Sequence, residues 1–349
     1  MKTRLTETFG IQYPIVNAPM AMVAGGRLAA AVSRAGGLGI VGGGYAGTLG
    51  GEPNLGEELA HVQGRKFGVG FITWALARVP AVLDEALTHS PSCVFFSFGD
   101  AGPFAERVHR SNAKLICQVQ SLRHVDQALE AGATAIVAQG AEAGGHGAKR
   151  ATLSLVPEVA DYLARCSPKT LLLAAGGIGD GRGLAAALML GADGVVVGTR
   201  FWASAEALTP SAVTDRGTRA TGDDTVRTKA VDALRGVPWP DEFSFRVLKN
   251  KLTEEWADRE AEAAAAFGSL AAAYAEARSR QDLDIVVSGA GECVGLIHDR
   301  PSAERIVEEM VTQARSLLER GATLGFRTRM VSPDSRPIGR GASGGEHKP

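Results

Sequence analysis

Short apolar and β-branched runs alternate with alanine-rich segments of helical period through the first part of this chain. The runs are Pro14–Ala18, Leu38–Val41, Lys66–Phe71, Cys93–Ser97, Lys114–Gln118, Ala135–Ala138, Thr170–Ala174 and Gly194–Val197. Most lack polar alternation, as expected of parallel strands buried on both faces. The segments Gly26–Gly36, Ser121–Gly132 and Gly183–Gly191 carry helix formers and stop on glycine, the residue that takes the left-handed conformation past a helix end. One order recurs in Arg34-Ala35-Gly36-Gly37-Leu38-Gly39, Glu130-Ala131-Gly132-Ala133 and Met189-Leu190-Gly191-Ala192-Asp193: a helix ends on glycine and a strand follows at once. Eight such units predict an α/β fold, a (β/α)8 TIM barrel over residues 1–210. An open doubly wound sheet would give similar local signals. The first strand–helix junction, Ala18-Pro19-Met20-Ala21, carries no GxGxxG, which lowers that reading.

After the eighth strand the rhythm stops. Residues 211–284 read as a smaller helical insertion or cap, with one long alanine- and glutamate-rich helix expected from Leu252 to Arg278. Residues 285–330 read as a return to the barrel. They include the run Ile285–Gly291 and an amphipathic helix near Ser302–Leu318, whose Ile306, Met310, Ala314 and Leu317 recur at helical spacing. Residues 331–349 are polar and glycine-rich, and read as a disordered tail.

Composition narrows the function. A formal net charge of -1 over 349 residues gives no overall field that would draw nucleic acid or an anionic membrane. Cys93, Cys117, Cys166 and Cys293 are scattered without CxxC or Cys/His ligand spacing, against both a zinc site and a disulfide framework. The N-terminus lacks the apolar stretch of a signal peptide, and no segment approaches bilayer-spanning length. These features point to an enzyme of the cytoplasm that acts on small molecules.

The chemistry gathers at the strand ends. His146 stands in the loop Gln139-Gly140-Ala141-Glu142-Ala143-Gly144-Gly145-His146-Gly147, directly after a buried run, where imidazole can move a proton and flanking glycines let the backbone approach a flat ligand. The turns Ala175-Gly176-Gly177-Ile178-Gly179 and Val197-Gly198-Thr199-Arg200-Phe201 end the seventh and eighth runs, the loops that form a phosphate site in many such barrels. Ser97, Phe98, Gly99, Trp74 and Gly289-Ala290-Gly291 are weaker pocket candidates, and Glu142 is placed to orient His146. His61, His89, His109 and His124 fall in helical or polar stretches and are expected to be solvated; His347 lies in the tail. A non-redox isomerase or aldolase would more often use Lys, Asp or Glu at a strand end, where this chain has Gln118, Gln139 and glycines.

Four segments in order, Asn17-Ala18-Pro19-Met20-Ala21, Gln139 to His146, Ala174-Ala175-Gly176-Gly177-Ile178 and Gly198-Thr199-Arg200-Phe201, resemble the nitronate monooxygenase family from about residue 10 to residue 320. The resemblance implies an FMN in the barrel mouth. Ala18, Pro19 and Met20 would lie along the isoalloxazine ring, Gly176, Gly177, Gly198 and Thr199 would hold the phosphate, and Gly144 and Gly145 would border the flavin. His146 would be the catalytic base or hydrogen-bond donor. Gln118 stands where the best-known members have lysine, Gln139 where they have aspartate, and Gly70 where asparagine is often found, so the first two changes put neutral amides near the cofactor. The implied reaction is oxidation of an alkyl nitronate by O2 to a carbonyl compound and nitrite. An NAD(P)H-dependent flavin reductase acting on an enoyl thioester or quinone, or a tailoring enzyme of secondary metabolism, shares much of the pattern. A small-molecule substrate and O2 are the implied partners, with no nucleic acid and no membrane; a homo-oligomer is left open.

Overall fold

The computed structural model describes residues 1–323, so the tail expected over 331–349 lies outside the described residues. Six strands come first: β1 (Ile15–Asn17), β2 (Gly39–Gly44), β3 (Phe67–Ile72), β4 (Cys93–Ser97), β5 (Lys114–Val119) and β6 (Ala135–Gln139). They are followed by β7 (Gly145–Gly147), β8 (Leu171–Ala175), β9 (Gly194–Val197), β10 (Thr225–Thr228) and β11 (Ser244–Leu248). Eight of these form one parallel sheet in the order β1-β9-β8-β6-β5-β4-β3-β2. A parallel bridge between Val16 and Leu38 joins β1 to the start of β2 and closes the barrel. The eight apolar runs are its eight strands.

Alternation within each strand divides the core into two layers. Phe95, Val137, Leu171 and Leu173 point into the barrel beside Ile40 and Ile116, whereas Val94, Phe96, Ile136 and Leu172 face the surrounding helices. Each fully buried Val, Leu or Phe contributes about 1.5–3 kcal/mol relative to exposure, so this double layer is a main source of the barrel's stability. The first helix, Arg4–Phe9, packs Leu5 and Phe9 into the inner layer, a closure that the sequence pattern does not announce. Arg4 ties it down through Asp193, at 2.7 Å.

The segment after β9 is more than a helical cap. β10, β11 and β7 form a three-stranded antiparallel sheet in the order β10-β11-β7, so two strands of the insertion extend the histidine loop of the barrel. The single helix expected from Leu252 to Arg278 is three: Lys251–Trp256, Glu260–Ala265 and Phe267–Ser279. The first break has a tertiary cause. The Ala257 carbonyl accepts the Thr228 hydroxyl at 2.9 Å, and Glu260 accepts the Lys229 N–H at 2.8 Å, so the end of β10 draws the chain out of helical register. The helix expected near Ser302–Leu318 runs from Ala303 to Thr323 and buries Ile306, Val307, Met310, Val311 and Ala314. It returns to the barrel through Gln313, which accepts the Gly181 N–H at 2.7 Å. Among the described residues no helix is long and apolar enough to cross a membrane.

Candidate active site

A cavity lies at the C-terminal ends of the barrel strands. Twelve of the residues singled out in the sequence stand in its wall: Ala18, Pro19, Met20, Gln118, Gln139, Gly144, Gly145, His146, Gly176, Gly177, Gly198 and Thr199. Gly70 does not. It sits within β3, where a Cβ would fall 2.2 Å from the Pro19 Cβ, so its lack of a side chain makes room for Pro19 one layer behind the cavity. Ser97, Phe98 and Gly289 also reach the wall, while Trp74, Gly99, Ala290 and Gly291 do not.

Two turns on one side offer unspent backbone donors. The N–H groups of Gly177 and Ile178 meet no acceptor among the described residues. Gly177 has φ 74, a conformation that L side chains rarely adopt. Next to this turn the short helix Thr199–Trp202 starts at Gly198 without a side-chain cap, which leaves its first N–H groups open as well. Converging amides at a helix start suit an anion, and phosphate is the group that such a donor set fits. The Thr199 hydroxyl is committed elsewhere: it accepts the Gly291 N–H at 2.9 Å.

Opposite the turns, His146 is held by groups from both parts of the molecule. It lies on β7 in register with Phe245 of β11, and its ring is stacked between Trp239, 3.4 Å between centroids, and Phe245, 4.4 Å. Its Nε2 is 2.8 Å from Asp232 Oδ2, with both side chains under a tenth exposed. A carboxylate at Nε2 places the ring proton there and leaves Nδ1 as the basic nitrogen of the neutral ring. Burial pushes the His146 pKa down, with Asp232 opposing and Arg235 and Arg227 adding to the lowering, so the neutral form is favoured.

The loop carrying His146 is fixed from beneath and from the side. The Gln139 amide donates to the His146 carbonyl at 3.0 Å, and its oxygen accepts the side chains of Gln118 at 3.0 Å and Gln120 at 2.9 Å. Gln118 and Gln139 thus belong to one neutral network with Gln120, and both stand in the cavity wall. Arg227, on β10, donates to the carbonyls of Ala141, Ala143 and Gly147, and burial, followed by the nearby Arg246, lowers its pKa to about 10. Glu142 does not orient His146. Its carboxylate accepts the Thr152 N–H at 3.0 Å and caps the helix Thr152–Cys166. His124 departs from the solvated expectation: it is half-buried against Glu242 at 3.1 Å, and burial, with Glu242 opposing and Arg123 assisting, lowers its pKa.

Asp232, Arg235, Trp239, Phe245, Arg227 and Gln120 are the site residues that sequence reasoning missed. Gln120 lies one residue past β5 on the same face as Gln118, so strand alternation could have found it. Trp239, set between Pro238 and Pro240, is the other available signal. Asp232 and Arg235 are ordinary charges in the helix Ala230–Arg235, and only the fold brings Asp232 against His146 and Arg235 into the cavity wall.

Over residues 2–64 and 57–313 the sequence matches the family described as nitronate monooxygenase. The chain belongs to that family. Nitronate monooxygenase npaC of Metarhizium robertsii is 38% identical, covering 87% of this chain and 91% of its own. A hydroxy-methyl-oxo-octahydroindene-carboxyl-CoA dehydrogenase of Mycobacterium tuberculosis is 35% identical over 73% of this chain and 68% of its own. FabK from Thermotoga maritima superposes with a TM-score of 0.78 at 28% identity, over 93% of this chain and 99% of its own. Nitronate monooxygenases are flavoenzymes, and this chain is an oxidoreductase on the same TIM barrel.

Proposed function

We propose that the protein binds FMN in the barrel mouth and oxidises alkyl nitronates with O2, two nitronates and one O2 giving two carbonyl compounds and two nitrites. The observation that carries this reading is the buried His146, kept neutral and oriented by Asp232 in a cavity whose opposite side is built of unspent backbone donors. The N–H groups of Gly177, Ile178 and Thr199, with Gly176 and Gly198 leaving room, would hold the phosphate. Ala18, Pro19 and Met20 would flank the ring from one side of the cavity, Gly144 and Gly145 from another. FMN, when bound, supplies the electron acceptance that no side chain here can provide.

The remaining steps belong to the protein. Nδ1 of His146 takes the carbon-bound proton of a neutral nitroalkane, and Asp232 stabilises the imidazolium that results. With a nitronate that has already lost its proton, His146 has no proton to take and is not needed as a base. The wall of Phe71, Ile72, Phe98, Trp202, Trp239 and Phe245 excludes water and strengthens these electrostatic contacts.

The test is nitrite release and O2 uptake with propyl-1-nitronate by protein purified with FMN. One nitrite per nitronate, without added nicotinamide, is expected. The dehydrogenase relative favours a second reading, a reductase or dehydrogenase acting on a thioester. Absence of nitrite together with anaerobic bleaching of the flavin by NADH or NADPH would establish that reading in place of ours.

A further inference from the structure

Arg235 is the one formally charged side chain among the described residues that line the cavity, and its donors are unspent. The side chain is only 11% exposed, and its nearest carboxylate oxygen, Asp232 Oδ1, is 3.8 Å away, beyond hydrogen-bond range. Asp232 gives its other oxygen to His146. No hydrogen bond from the Arg235 guanidinium forms among the described residues. A largely buried guanidinium with free donors on a cavity wall is placed to take an anion, whose charge strengthens each hydrogen bond.

Tyr45 stands in the same wall with a matching vacancy. It is 5% exposed, and its oxygen accepts the Trp239 indole N–H at 3.2 Å, while its own hydroxyl hydrogen meets no acceptor among the described residues. Burial raises the Tyr45 pKa, and the strongest influence opposing that rise is the Arg235 charge, which puts the two groups within electrostatic reach. Around them the wall is apolar, formed by Phe71, Ile72, Phe98 and Phe245.

We propose that Arg235 and Tyr45 together bind the negatively charged oxygens of the substrate and select a monoanion with an apolar or aromatic body. The proposal rests on the function above in placing the substrate in this cavity. A guanidinium fork presents parallel donors to two oxygens on one atom, the arrangement that a nitronate and a carboxylate share. The Tyr45 hydroxyl adds one neutral donor. A second negative charge would find no cation in the wall and would be desolvated against aromatic rings, so small dianions are disfavoured.

Titration calorimetry with benzoate, its neutral analogue benzamide and the dianion phthalate, on protein with FMN added, tests this. Benzoate should bind about ten- to a hundredfold more tightly than either of the others, the range for charge-assisted hydrogen bonds. Arg235→Met should erase that advantage while benzamide binding persists, and Tyr45→Phe should reduce it by about three- to tenfold. Equal binding of benzoate and benzamide to the unaltered protein, or an advantage that survives Arg235→Met, overturns the proposal. Should Arg235→Met lose benzamide binding as well, Arg235→Lys and Tyr45→Phe decide: a benzoate advantage undiminished in both overturns it. Nitrite release measured on the same preparation separates the two claims. Anion selection without nitrite sinks the functional reading alone, and nitrite without anion selection sinks this one alone.

Discussion

The barrel and the insertion line one cavity with different materials. At the ends of the first, seventh and eighth barrel strands the wall is backbone and small residues, Ala18, Pro19, Gly176, Gly177 and Gly198, held by strands buried on both faces, while Tyr45, Phe71, Ile72, Phe98 and Trp202 are the barrel's large contributions elsewhere. On the insertion side it is made of large or charged side chains: Arg235, Trp239 and Phe245, with Asp232 behind His146. A backbone cradle suits any ligand with a phosphate and a flat ring, and so speaks to the cofactor. Side chains that set the protonation of His146 and place a cation speak to the reaction and its substrate. A constant backbone cradle with replaceable side chains around it is how one barrel supports different chemistries.

If that division holds, substitutions on the two sides should fail differently. The largest effect is expected on the histidine. His146→Ala should leave FMN content intact and lower kcat/KM for a nitroalkane by about 10²–10⁴-fold, the range for a general acid–base group. The loss on a pre-formed nitronate should be smaller, because no carbon-bound proton remains to be taken. A lowered melting temperature with an emptied flavin site, and unchanged activity per bound flavin, would show that His146 is only packing. On the barrel side, Gly177→Asp should do the reverse. It places a carboxylate beside the proposed phosphate site and forces a side chain into a backbone conformation with φ 74, so FMN affinity should fall by about tenfold or more. Unaltered FMN affinity would mean that the phosphate lies elsewhere.

The barrel was legible because its signals are repeated. Eight apolar runs, three of the intervening helices stopping on glycine just before the next strand, leave few folds to choose from, and two glycine turns in sequence point to one strand-end face. Twelve candidates reached the cavity for that reason. The insertion was not legible, because β10 and β11 are short and carry Arg227 and Arg246, which belong to carbonyl-binding networks rather than to a period-two pattern. Their pairing depends on β7, whose Gly145-His146-Gly147 has no strand signature of its own. Asp232 could not be connected with His146 from sequence, since 86 residues separate them and the link exists only once β11 has paired with β7.

A smaller effect is expected in the pH profile. Burial favours neutral His146, so its free base should persist below the ordinary value of 6.5, and kcat/KM for a nitroalkane should stay level through pH 6.5 and fall only further into acid. Stability follows the same sign. Below pH 6.5 the unfolded chain binds the proton first, so the stability associated with a neutral His146 is present above that pH and is lost as pH falls through the folded value. An acid limb centred at or above 6.5 would contradict the placement of His146 in a desolvated stack.

The central claim, that the insertion sets the base used at the barrel's cofactor face, is tested most directly by Asp232→Asn, assayed on one nitroalkane and on its pre-formed nitronate. An amide donating to Nε2 moves the ring proton to Nδ1 and removes the base while keeping the shape of the site. The account predicts that FMN content is unchanged, that nitroalkane kcat/KM falls by about 10²–10⁴-fold, and that the nitronate retains most of its rate. Equal losses on both substrates, or full activity on the nitroalkane, would contradict it.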